Sequence, residues 1–217
     1  MKISEFTIDE LLLKSKLAIS NSLSDPPIML ALAVYGYDEI KMNQGLNLHN
    51  ETETLVHIQA KEYGEQYKAY NDYEDAKKAA SIAYNKTYRV AGIALSDNKE
   101  AKTSLKLGRS RNRSFSEWLL KLKTFYTNLL GNDDYIAAMQ KYGYTAEKIQ
   151  AEFDLVTETE AKDFGYDKEK GEAQQATLNR NKKVDLLANW YRDFVEIAKI
   201  ALEGNPQWLE KLGIITK

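Results

Sequence analysis

Tyr35-Gly36-Tyr37-Asp38 returns 107 residues later as Tyr142-Gly143-Tyr144-Thr145, and this recurrence decides the reading of the fold. The same offset lays Lys61-Glu62-Tyr63-Gly64-Glu65 on Lys168-Glu169-Lys170-Gly171-Glu172. It also lays Ile93-Ala94-Leu95 on Ile200-Ala201-Leu202 and Leu12-Leu13-Lys14 on Leu119-Leu120-Lys121. No gap is needed. Roughly thirty aligned positions agree along the whole unit, against about one in twenty expected from ordinary residue usage. Shared helical composition would not hold one register over that length. The expected architecture is a tandem duplication, repeat 1 at 1–107 and repeat 2 at 108–217, packed as a pseudo-two-fold helical bundle with one shared core.

Working outward, each copy opens on a helix start. Thr7-Ile8-Asp9-Glu10 and Ser114-Phe115-Ser116-Glu117 both read as capping boxes, a hydroxyl for the orphan amides and a Glu three residues on. Asp25 before Pro26, and Asn132 or Asp133 in the second copy, supply the next N-cap; proline is tolerated in a first turn, where its missing amide hydrogen costs nothing. This second helix ends at Tyr-Gly-Tyr, whose glycine can take the left-handed conformation of a C-terminal cap. Asp38 and Thr145 then cap a third helix.

From there to Leu95 and to Leu202 neither copy contains proline. Nearly sixty residues of helix would reach about 87 Å, too long for a lone helix to bury its stripe within so small a unit. A hairpin is therefore expected within Tyr67 to Asp72 and within Gln174 to Asn179, where Asn71, Thr177 and Asn179 cluster, giving about four main helices per copy. A short helix is expected near Asn98 to Leu105 and near Pro206 to Leu212. In the fourth helices, Ala80, Ala83, Thr87, Val90 and Ala94 align with Leu187, Trp190, Phe194, Ile197 and Ala201. Small faces large, so the two are expected to meet, Trp190 and Phe194 filling the space left by Ala83 and Thr87. Gly64 and Gly171 are expected to permit a close helix crossing or to mark the approach to the hairpin.

Composition narrows function. Hydrophobic residues make up 43%, and three prolines with eleven glycines in 217 residues disfavour a chain of short strands, so the fold class is all-α. Lys and Arg number 30 against 32 for Asp and Glu, and a net charge of −2 provides no overall field toward nucleic acid or an anionic membrane. No cysteine is present, which excludes disulfides, thiolate metal sites and cysteine nucleophiles. The first residues lack the apolar run of a secretory signal, and no stretch approaches a membrane span; a cytoplasmic location is expected.

Two constellations stand out. His49, Glu53 and His57 recur at intervals of four, one helix face that could present metal ligands, with Glu160 as the duplicate of Glu53 and a further donor if the third helices touch. The duplicates of the histidines are Val156 and Phe164, which mark that face as apolar. Tyr63, Tyr67, Tyr70 and Tyr73 recur at steps of four, three and three, and their duplicates are Lys170, Gln174, Thr177 and Arg180. A side that is polar in one copy need not be buried for the fold, so the tyrosines are a candidate partner surface. Lys99, Lys102, Lys106, Arg109, Arg111 and Arg113 form a basic junction without interleaved aromatics, which argues against base stacking.

No nucleophile elbow, phosphate loop or Glu-x-x-His di-iron pair occurs. The expectation is a non-enzymatic interaction or scaffold protein, acting on a protein partner or on itself. The alternative is a small-molecule or metal-binding bundle with its site between the repeats, near His49, Glu53, His57 and Glu160.

Overall fold

The computed structural model describes residues 6–108 and 114–214. These are all-helical, with no strand among them. The elements are α1 (Ile8–Ser24), α2 (Pro26–Ala33), α3 (Glu39–Ala94), α4 (Lys99–Ser104), α5 (Phe115–Leu130), α6 (Asp133–Gln140), α7 (Ala146–Ala201) and α8 (Pro206–Lys211). Each of the last four begins 107 residues after its counterpart among the first four.

The caps explain the boundaries. Thr7 forms a full capping box: its hydroxyl accepts from the Glu10 amide at 3.2 Å, and the Glu10 carboxylate accepts from the Thr7 amide at 2.8 Å. Ser114 likewise accepts from the Glu117 amide at 3.2 Å. Asp38 and Thr145 accept from the amides of Lys41 and Lys148 at 2.8 and 3.3 Å, starting the two long helices. Helices α2 and α6 close in the same way. Gly36 and Gly143 sit at φ 82° and 77°, and the amides of Tyr37 and Tyr144 reach back to Leu32 and Met139 at 3.2 Å, closing a Schellman motif each time. That turn sends Tyr37 and Tyr144 into the core.

The expected hairpins do not exist. Helices α3 and α7 each run unbroken for 56 residues. The polar residues read as turn signals are accommodated on the helix surface: the Thr177 hydroxyl donates to the Ala173 carbonyl at 3.0 Å and Asn179 accepts from Gln175 at 2.9 Å, both one turn away. Nor do Gly64 and Gly171 mark a close crossing, since a Cβ at either would meet nothing within 4 Å. What permits such length is that both helices are packed by partners in two successive compact units.

The first unit comprises Met1–Tyr63 and Gly171–Lys217, the second Gly64–Lys170, so neither coincides with a sequence half. In the first, Leu11, Ala18 and Ile19 of α1 and Ile28 and Leu32 of α2 bury against Leu187, Trp190, Tyr191 and Phe194 from the far end of α7. Tyr37 meets Trp190 and Phe194 edge-on, at 5.9 and 5.6 Å between ring centres. In the second, Leu122, Phe125, Tyr126 and Leu129 of α5 bury with Ala80, Tyr84 and Ala91 of α3 and with Ile149 and Val156 of α7. Each core thus mixes residues of both sequence halves.

The size complementarity read from the sequence is satisfied by other partners. Trp190 lies over Gly45, so tightly that a Cβ there would clash with its indole, while Tyr84 packs edge-on against Phe125 in the other unit, whose core also holds Ala80. Trp190 and Ala83 do not meet within one core, because α7 beyond residue 171 and α3 beyond residue 64 belong to different units.

Candidate recognition surface

The four candidate ligands are divided between the units, His49, Glu53 and His57 in the first and Glu160 in the second. His49 is 1% exposed; its Nδ1 lies 3.3 Å from the Ser15 hydroxyl and its Nε2 has no hydrogen-bond partner. Burial pushes its pKa down, Glu53 opposes that shift and Lys16 adds to it, so the ring is held neutral in the interior. Glu53 is half-buried and His57 exposed, both in the first unit. Glu160 belongs to the second unit, where its carboxylate accepts from the Lys123 ammonium at 2.5 Å. No grouping of His, Asp and Glu at ligand spacing among the described residues includes any of the four.

The tyrosine stripe splits. Tyr63 (49% exposed), Tyr67 (69%) and Tyr70 (43%) stand out from α3, whereas Tyr73 (7%) is core. Helical spacing placed all four on one side, but the stripe drifts around the helix and its last member meets α5. There Tyr73 packs edge-on against Phe115 at 5.5 Å, and Phe115 stacks on Trp118 at 5.4 Å. Tyr166 of α7 completes the arrangement, 5.4 Å from Tyr70 and stacked on Tyr73 at 6.3 Å. The second unit therefore carries a continuous row of rings, Tyr70, Tyr166, Tyr73, Phe115 and Trp118, buried at Tyr73 in its middle and exposed at the Tyr70 end.

The row already holds one cation. Lys77 Nζ lies 5.0 Å above the Tyr73 ring and 5.9 Å from that of Phe115, with the Glu74 carboxylate at 3.4 Å. Burial works against its charge, yet Tyr73 and Glu74 outweigh that and hold its pKa above the ordinary lysine value. Asp163, half-buried one turn before Tyr166, is raised above the usual carboxylate range by burial and then by Asp167, with Lys77 acting in the other direction.

Sequence reasoning missed Tyr166, Phe115 and Trp118, since only packing brings α5 and α7 to α3. A partial signal existed in the alignment. The counterparts of Tyr73 and Tyr166 are Arg180 and Gln59, and in the first unit these two join by a hydrogen bond from the guanidinium at 3.0 Å. The same position pair is a stacked aromatic contact in one unit and a polar one in the other.

Other features are less informative. An open depression of about 630 Å³ in the second unit is lined by residues including Leu95, Asp97, Lys99 and Asp134. Its carboxylates are exposed, so it lacks the desolvated polar groups that orient a small ligand. Of the basic junction, Lys99, Lys102 and Lys106 lie on α4 and its end, whereas Arg109, Arg111 and Arg113 lie outside the described residues. Leu13 and Leu120, Tyr35 and Tyr142, and Ile93 and Ile200 are identical across the offset and exposed in both copies. No described helix is long and apolar enough to cross a membrane. Comparisons with protein-family models, with curated proteins and with solved structures found no match.

Proposed function

We propose that the chain is a non-enzymatic interaction or scaffold protein of the cytoplasm, which presents the α3 tyrosine face to a protein partner or to another copy of itself. The observation that carries this reading is the exposure of Tyr63, Tyr67 and Tyr70 at positions whose counterparts are Lys170, Gln174 and Thr177. Rings that a homologous fold does without, left in solvent, are the usual material of a protein interface. The three exposed apolar pairs retained across the offset point the same way. Tandem duplication of a unit of about 107 residues, with halves 1–107 and 108–217, is part of the proposal, and the constant spacing of the elements supports it.

The metal-binding alternative draws less support, because Lys123 holds Glu160 and His49 is enclosed by the core. Changing Tyr63 and Tyr67 together to Ser tests the face. Being exposed, the pair should alter stability by no more than about 0.5 kcal/mol per site, while self-association in sedimentation, or retention of a partner in a pull-down, weakens. A large fall in melting temperature would assign the rings to the core and overturn the reading. Stoichiometric zinc or iron, lost on His57→Ala, would favour the alternative.

A further inference from the structure

We infer that the partner of this face is a basic polypeptide segment, whose arginine side chain stacks on Tyr70 and Tyr166 beside the carboxylates of Asp163 and Asp167; the inference rests on the interaction reading above. Three observations converge on a cation. The ring row binds one already, since Lys77 spans Tyr73 and Phe115 around its buried middle. At the outer end, Tyr70 and Tyr166 lie 5.4 Å apart with their planes at 58°, the first 43% exposed and the second half-buried. That pair offers two aromatic faces at an angle to an incoming group.

The third observation is charge. Asp163 and Asp167 lie one turn apart on α7 and bracket Tyr166 in sequence; burial and then the charge of Asp167 disfavour ionisation of Asp163, while Lys77 favours it. A cation placed between them relieves that repulsion, whereas a phosphate or a carboxylate worsens it. Arginine fits better than lysine because its planar, weakly hydrated guanidinium stacks on a ring face and still offers donors to carboxylates. The first unit is not equipped for this: Thr177 and Gln59 replace Tyr70 and Tyr166, and Arg180 already hydrogen-bonds Gln59.

The test titrates the full chain with two glycine-spaced decapeptides, one carrying arginines and the other citrulline, which keeps the shape and loses the charge. The arginine peptide should bind about tenfold tighter or more, as expected for a cation–π contact combined with an ion pair. Asp163→Asn with Asp167→Asn, and separately Tyr70→Ser, should each weaken it about tenfold, while Tyr70→Phe keeps the ring and the affinity. Melting curves check that each variant is folded, and Asp167→Asn alone, at an exposed site, serves if the double variant is not. Equal affinity for the two peptides, or no effect of these substitutions, overturns the basic-partner inference. If Tyr63→Ser with Tyr67→Ser still abolishes self-association while no arginine preference is found, the face survives and the inference falls.

Discussion

At the point where α3 and α7 pack in the first unit, Gly45 lies under the Trp190 indole, Trp190 stacks on Phe194 at 5.4 Å with the ring planes 4° apart, and Tyr37 closes the edge. The corresponding positions of the second unit hold Glu152, Ala83 and Thr87. There the Glu152 carboxylate accepts hydrogen bonds from the Thr87 hydroxyl and from the Tyr126 phenol, the latter at 3.2 Å. In both units the small side chains lie on α3 and the bulk on α7, but the bulk is aromatic at Trp190 and Phe194 in one and a carboxylate at Glu152 in the other, where two hydroxyls satisfy it. Helix spacing and the caps of the long helices are shared, so interior volume and hydrogen-bond completeness constrain these positions more tightly than residue identity does.

The sharpest way to break this comparison is to remove the bulk. Trp190→Ala should destabilise the protein by about 3–5 kcal/mol, measured by denaturant unfolding, because nothing else fills the space above Gly45. Gly45→Ala attacks the same contact from the other side and should cost about 1–3 kcal/mol through overpacking. Combined with Trp190→Phe it should cost less than the sum of the two single changes, as neighbours in one contact do.

Next in size are the hydroxyls of the second unit. Thr87→Val and Tyr126→Phe should each cost about 1–2 kcal/mol by removing a donor to Glu152. Since both donate to the same oxygen, the double variant should deviate from additivity; strict additivity would show that they do not act through that carboxylate.

His49 separates the units by pH, because its counterpart is Val156. Its folded pKa lies below the ordinary value of 6.5, so on acidification the unfolded chain takes up the proton first. The stability that a neutral His49 allows is complete above pH 6.5 and is lost as pH falls from there toward the folded pKa. Melting temperatures taken across that window should therefore fall more steeply for the natural chain than for His49→Val. Parallel curves would show that His49 does not carry the acid sensitivity.

The smallest effect concerns the ends of α4 and α8. Gly213 closes α8 at φ 70°, whereas Lys106 takes the equivalent left-handed turn at φ 50° with a full side chain. Lys106→Gly should stabilise by up to about 1 kcal/mol, less what glycine loses through its freer unfolded chain. A melting temperature that falls on this change would contradict the strain.

Much of the molecule was legible before any coordinates. Caps at Thr7, Ser114, Asp38 and Thr145, and the glycine stops at Gly36 and Gly143, depend on contacts within four or five residues, so local chemistry reveals them. The expected hairpins failed for an instructive reason. Asn71, Thr177 and Asn179 suit a helix surface as well as a turn, Thr177 and Asn179 bonding one turn away and Asn71 standing exposed, so polar content alone does not break a helix. The candidate site was half legible: the period of the tyrosines was readable, whereas the rings that join Tyr70 and Tyr73 come from elements about forty and ninety residues further along.

By itself the sequence determined the helical class, the start and stop of nearly every helix and the offset relating the halves, because each is written in neighbouring residues or in direct repetition. Only the tertiary structure decided that the long helices run unbroken, that each core draws on both halves, and that Trp190 answers Gly45 and not Ala83. Those outcomes depend on which distant surfaces exclude water from one another, and hydrophobic burial carries no label of its partner along the chain.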